Sequence, residues 1–160
     1  MSILFYPSAL VALLATAMVI TRTNVVHALL YFVVSLLAVA VIFYSMGAPF
    51  AAALEVIVYA GAIMVMFLFV MMMLNLGKTT EDQEKEWLSP GIWIGPIVLA
   101  VPLLAEMLFA INLSDQDMAI TAVGAKEVGI ALFGPYVLAV ELASLLLLAG
   151  LVGAFHLARK

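Results

Sequence analysis

The stretch AAALEVIVYAGAIMVMFLFVMMMLNL, residues 51–76, sets one carboxylate, Glu55, and one phenol, Tyr59, inside an otherwise apolar run. A hydrocarbon core of about 30 Å is crossed by roughly 20 helical residues, so the run is long enough to span a bilayer. An ionisable group at that depth is a functional-site hypothesis by default, because hydrocarbon offers it no partner. Near the centre of the run, Tyr59-Ala60-Gly61-Ala62 combines small side chains that let helices approach closely with a glycine that weakens regular helix.

Working outward, four more segments of similar length lie between charges or turn signals, giving five in all: Ile3 to Ile20, Val25 to Met46, Ala51 to Leu76, Ile92 to Asn112 and Leu132 to Leu157. Thr23 and Asn24 can cap the second helix, Gly47-Ala48-Pro49 introduces the third, and Gly134-Pro135 starts the fifth. Short links imply antiparallel neighbours. The expectation is an all-α integral membrane protein with five transmembrane helices forming one membrane domain over residues 1–160.

Composition agrees. Of 160 residues 68% are hydrophobic and 10% charged, which excludes a soluble globular domain or a disordered tail. Met1 to Thr21 carries no charge, and without a basic n-region or an Ala-x-Ala-like site the first segment is expected to remain as a helix. The chain has no cysteine, so it can hold neither a disulfide nor an iron–sulfur cluster on its own thiolates. Its net charge of −4 is spread over short loops, with no basic patch of the kind that binds nucleic acid.

Basic residues are retained on the cytoplasmic side. With the N-terminus outside, Arg22, Lys78, Lys85, Arg159 and Lys160 lie inside and only Lys126 among the basic residues lies outside. An odd number of spans then leaves the C-terminus in the cytoplasm. The loop Gly77 to Pro90 reads as a solvated hairpin, and Trp87 and Trp93 fit an interfacial belt.

Three acidic residues fall inside the spans: Glu55, Glu106 and Glu141. Counting from Pro49 at about 1.5 Å per residue, Glu55 lies about 9 Å deep and Tyr59 about 15 Å deep, near the midplane. Four residues apart, they share a helical face and can join one chain of polar groups or waters. The bland reading is a hydrogen-bonded glutamate and a packing tyrosine. Glu141 lies about 9 Å beyond Pro135. Glu141 and Glu106 are each open to a proton-path role or an interhelical hydrogen bond, and for Glu106 the interhelical bond is favoured. His27 and His156 fall at helix ends with no second pair beside them, which argues against a haem or metal site. Ser35 and Ser144 can satisfy backbone carbonyls. Ten methionines, among them Met64, Met66 and Met71 to Met73, are read as lipid-facing or packing residues. Ala139/Ala143 and Gly150/Ala154 form small-xxx-small pairs on the fifth segment. No nucleophile with its base, phosphate loop or nucleotide fingerprint is present. A bundle so apolar all round reads as one part of a larger assembly.

Three motifs then carry a resemblance: Asn24-x-x-His27-Ala28-Leu29-Leu30-Tyr31; Leu54-Glu55-x-Ile57-Val58-Tyr59-Ala60-Gly61-Ala62-Ile63-x-Val65; and Phe133-Gly134-Pro135-Tyr136 followed by Glu141-x-Ala143-Ser144. Together they resemble the subunit J family of bacterial proton-pumping NADH:quinone oxidoreductase, respiratory complex I, over nearly all five spans. The resemblance implies a non-catalytic subunit of that enzyme in the bacterial cytoplasmic (inner) membrane. Its implied place is in the membrane arm, beside the quinone-site subunits and other membrane-arm subunits. FMN, iron–sulfur clusters and quinone belong to the assembly, and none is bound by this chain.

It further implies a π-bulge around Tyr59, Ala60, Gly61 and Ala62 that interconverts with α-helix. Rotation of the inner half of that helix would swing Met64 and Phe67 into or out of a proton path drawn through Glu55, Tyr59 and Glu141. Where relatives carry an Asn-Pro-Val-His turn this chain has Asn24-Val25-Val26-His27, and where they carry Pro-Phe-Glu it has Ala139-Val140-Glu141. The third segment is therefore the firmer ground for carrying over roles. Alternatives are a purely structural membrane-arm subunit, or the equivalent subunit of a related membrane-bound hydrogenase or antiporter assembly.

Overall fold

The computed structural model describes residues 2–23, 25–74, 90–113 and 122–159, and these residues are helical with connecting turns. The cap expected at Asn24, the acidic hairpin with Lys78, Lys85 and Trp87, the end of the third segment at 75–76, and Lys160 lie outside the described residues. Two compact units divide the chain at residues 1–122 and 123–160.

In the first unit the elements are α1 (Ser2–Thr21), α2 (Val25–Ser45), α3 (Pro49–Leu54), a π-helical segment (Glu55–Ile63), α4 (Met64–Leu74) and α5 (Pro90–Leu113). The second unit holds α6 (Ala125–Leu132) and α7 (Val137–Ala158). Five helices are long and apolar enough to cross a membrane: Leu4–Thr21, Val25–Ser45, Pro49–Met73, Pro90–Phe109 and Val137–Ala158. The five expected spans are all present. The last begins at Val137 rather than at Leu132, because a turn at residues 133–136 separates it from the short helix α6. At the start of α6 the Glu127 Oε2 accepts the Gly124 N–H at 3.1 Å, satisfying one of the donors that a helix N-terminus leaves open.

Within the first unit α2 is the hub, packed along α1 and touching α3, the π segment, α4 and α5, while α1 also meets α5. The core gathers Val11 and Ala15 of α1, Val34, Ala38 and Val41 of α2, and Leu103 of α5. The three- and four-residue spacings place each set on one face of its helix. Ala15 and Ala38, both fully enclosed, let the backbones approach closely, which is how helices associate when lipid removes the hydrophobic drive between them.

The turn from α2 into α3 follows from its sequence. Gly47 adopts φ 82°, its N–H bonds the Tyr44 carbonyl at 3.0 Å and the Ala48 N–H bonds the Phe43 carbonyl at 3.0 Å. This pair of bonds is a Schellman closure, which needs the left-handed conformation that glycine adopts without strain. Pro49 then opens α3 at a position where its missing N–H is no loss.

Candidate functional site

Leu54 ends α3 in ordinary α geometry, and from Glu55 to Ile63 the third span is π-helical before α-helix resumes at Met64. The Met64 N–H reaches back five residues to the Tyr59 carbonyl, the bonding that defines a π turn. The expected bulge is present, and it extends on the N-terminal side to include Glu55. All of Glu55, Tyr59, Ala60, Gly61 and Ala62 lie inside it.

Glycine suits this backbone. A Cβ built on Gly61 would stand 3.2 Å from the Val56 carbonyl oxygen, five residues back, so a larger side chain must push the π turn apart. Rearrangement is least hindered at the residue without a side chain.

The two side chains expected to act as gates differ in setting. Met64 is only 4% exposed, whereas Phe67 is 51% exposed and Tyr59 52%. Glu55 is partly enclosed. Beside the segment lies an apolar cleft of about 300 Å³, lined by Leu37, Val41, Tyr44, Ala52, Val56 and Met107. The π segment therefore borders free volume on its α2 side. Glu141 belongs to α7 in the second unit, where the Ser144 hydroxyl donates to the Glu141 backbone carbonyl at 2.7 Å.

Other polar groups are brought together in ways the sequence left open. The Ser8 hydroxyl of α1 donates to Glu106 Oε2 of α5, so Glu106 makes the favoured interhelical bond. Thr16 Oγ1 and Ser35 Oγ lie 2.9 Å apart between α1 and α2, and Ser35 reaches the Ala12 carbonyl at 3.4 Å. His27 Nε2 lies 2.6 Å from the Ile92 carbonyl of α5. A carbonyl only accepts, so Nε2 is the donor. Tyr31, 2% exposed, stacks at a tilt on His27 with ring centroids 5.9 Å apart, and Arg22 lies 5.6 Å from its ring centroid. The spacings His27, Tyr31, Ser35 on α2 and Ser8, Ala12, Thr16 on α1 were the available signals, but the partner helix of each is a tertiary fact. Among the described residues no three His, Asp or Glu gather in a way that could hold a metal ion.

Residues 15–157 match the model of the family described as NADH-ubiquinone/plastoquinone oxidoreductase chain 6. The chain is 59% identical over 161 residues to NADH-quinone oxidoreductase subunit J of Escherichia coli (strain K12), covering 100% of this chain and 88% of that relative. It is 59% identical over 162 residues to the subunit J of Pseudomonas aeruginosa, covering 100% and 98%. To that of Buchnera aphidicola subsp. Schizaphis graminum it is 50% identical over 161 residues, covering 100% and 99%.

Proposed function

This chain belongs to the NADH-ubiquinone/plastoquinone oxidoreductase chain 6 family, and on that premise we propose that it is a membrane-arm subunit of proton-pumping NADH:quinone oxidoreductase. Its place is near the quinone junction, among the quinone-site and other membrane-arm subunits of a bacterial cytoplasmic membrane. The N-terminus is outside and the C-terminus cytoplasmic, as the distribution of basic residues supports. Residues 1–160 act as one membrane domain. FMN and iron–sulfur clusters reside on partner subunits, since a chain without cysteine supplies no thiolate to a cluster.

The π-helical segment from Glu55 to Ile63 carries the functional part of the reading. A π turn inside an α-helix is a local departure from the favoured geometry, and such departures concentrate at functional sites. Converting it to α-helix turns the part of the span beyond it. Met64 then leaves its packed position, and Phe67 and the Tyr59 phenol change face. Glu55 and Tyr59, with Glu141, hold the proton path, and Gly61 is the hinge. The cleft beside Val56 supplies room for the rearrangement. Quinone reduction, by favouring one form of the helix, opens or closes the path, a population shift between two discrete packings.

The test is to tag the chain, purify it in mild detergent and assay the eluate for co-purifying flavin- and iron–sulfur-containing subunits and for inhibitor-sensitive NADH:quinone reductase activity. Such an assembly supports the reading. A lone chain, or partners that do not oxidise NADH, removes it.

A further inference from the structure

We propose that Glu106, with Ser8 beside it, is a second proton-holding site of this chain, at one end of a polar seam through α1, α2 and α5 that lies apart from the π segment. The inference rests on the proton-translocating reading above for its role, and on the geometry of the first unit for its place.

Ser8 is fully enclosed, 0% exposed, and its hydroxyl is committed to Glu106 Oε2 across the α1–α5 contact. Ser8 lies six residues into α1, about 9 Å from the start of the helix, and Glu106 seven residues before the end of α5, about 10 Å. The pair therefore sits within the apolar part of both spans. A carboxyl used there only as glue is an expensive choice, since an amide or hydroxyl makes the same bond without the burden of a charge in hydrocarbon.

The partner is also informative. A guanidinium or ammonium would fix the carboxylate in its charged form, whereas a hydroxyl both donates and accepts. With Glu106 deprotonated, Ser8 donates to the carboxylate. When a proton adds to a carboxylate oxygen, the new O–H can donate to Ser8 Oγ. The serine hydrogen then turns to a backbone carbonyl one turn back on α1, the bond serines commonly make in helices. One proton is gained and the same proton is later released to water, with no electron moved and no bond formed besides O–H.

A route leads away from this pair. One turn beyond Ser8 on α1, the Ala12 carbonyl accepts from Thr16 Oγ1 at 2.8 Å and from Ser35 Oγ at 3.4 Å, and the two hydroxyls are 2.9 Å apart. One turn before Ser35 on α2 is Tyr31, and one turn before that is His27, whose ring lies 5.9 Å from that of Tyr31. Along α2 each step is about 6 Å of helix rise, and from Ser8 to Thr16 on α1 it is about 12 Å, so intervening water is what completes the route. The seam thus strings polar groups from the His27 end of the bundle to Glu106 without using Glu55 or Tyr59.

The test uses the assembled complex in native-like membranes, as wild type, Glu106→Gln and Ser8→Ala, with infrared difference spectra and vesicle acidification as readouts. Glu106→Gln keeps the shape and a hydrogen bond to Ser8, so assembly survives. The expected result is a carboxyl band that NADH-driven turnover changes, that shifts in Ser8→Ala and that is lost in Glu106→Gln, together with loss of acidification in the Gln variant while subunit content is unchanged. Wild-type acidification in Glu106→Gln with no turnover-linked band overturns the proposal and leaves Ser8–Glu106 a structural bond. If the chain proves not to assemble with an NADH-oxidising enzyme, exchange into D₂O decides. A Glu106 carboxyl band that shifts with the medium supports proton exchange at this site, and one that does not shift overturns it.

Discussion

His27 supplies its Nε2–H to the carbonyl of Ile92, 2.6 Å away, and Ile92 is the residue four before Pro96, which lies inside α5. In a regular helix the Ile92 carbonyl would accept the N–H of residue 96, and proline has none. The histidine of α2 therefore fills a vacancy that proline creates in α5. This gives a structural reason for His27 that no haem or metal argument requires.

A reciprocal pair of variants tests this. His27→Ala orphans the carbonyl of a buried residue, Ile92, at the α2–α5 contact and is expected to destabilise the chain by about 1–3 kcal/mol. Pro96→Ala restores the missing backbone donor, so His27→Ala in that background should lose much less. Stability of the purified protein against denaturing detergent, arranged as a double-mutant cycle, reads the coupling. Additive losses would show that the two residues act independently.

Gly95 is the next close fit at the same contact. A Cβ on it would run into the Tyr31 hydroxyl oxygen and stand 2.9 Å from the ring carbon that bears it. Gly95→Ala is thus expected to cost about 1–3 kcal/mol by overpacking, with partial recovery in Gly95→Ala/Tyr31→Phe, where the nearest atom is gone. Unchanged detergent resistance in Gly95→Ala would mean that α2 and α5 separate here at little cost.

For the hinge, two substitutions at Gly61 should separate by size. Alanine brings its Cβ to 3.2 Å from the Val56 carbonyl, a contact relieved by a shift of a few tenths of an ångström, and coupled turnover should fall only modestly. Valine adds two branches in the same space and stiffens the backbone, so turnover should be lost. Membrane vesicles assayed for NADH-driven acidification, with subunit content checked on gels, give the comparison. Full activity in Gly61→Val would count against a moving segment.

Tyr59→Phe removes one oxygen and little volume. Assembly should survive, and coupled turnover should fall about tenfold, less than for a full acid–base group because water can fill the gap left by the phenol. Wild-type pumping in reconstituted vesicles would take Tyr59 out of the path, and silence in both Tyr59→Phe and Glu55→Gln would favour a purely structural subunit.

Much of this architecture could be read in advance, because bilayer thickness turns apolar length into a count of spans. The π segment was harder to read. Gly61 between alanines signals a weakened helix, but the expectation of π geometry came from the resemblance. Helix α6 escaped because eight residues interrupted by Gly129 carry too little apolar surface to stand out beside a full span. The polar pairs escaped for a different reason. Ser8 and Glu106 are 98 residues apart, and nothing local to either residue names its partner. Likewise, Pro96 announces a missing donor in its own helix but not the histidine that replaces it.

The π segment also sets how the third span keeps time. An extra residue taken up in a wide turn lets α3 and α4 present their faces as though the chain between them were one residue shorter. Straightening the turn without removing a residue would advance one half by about 100°. A labelling scan should therefore find a periodic pattern on each side of residues 55–63 and a jump of phase across them. Deleting a single residue within 55–63 should abolish the jump while leaving both outer faces in place, which would separate the angle the helix stores from the side chains it carries.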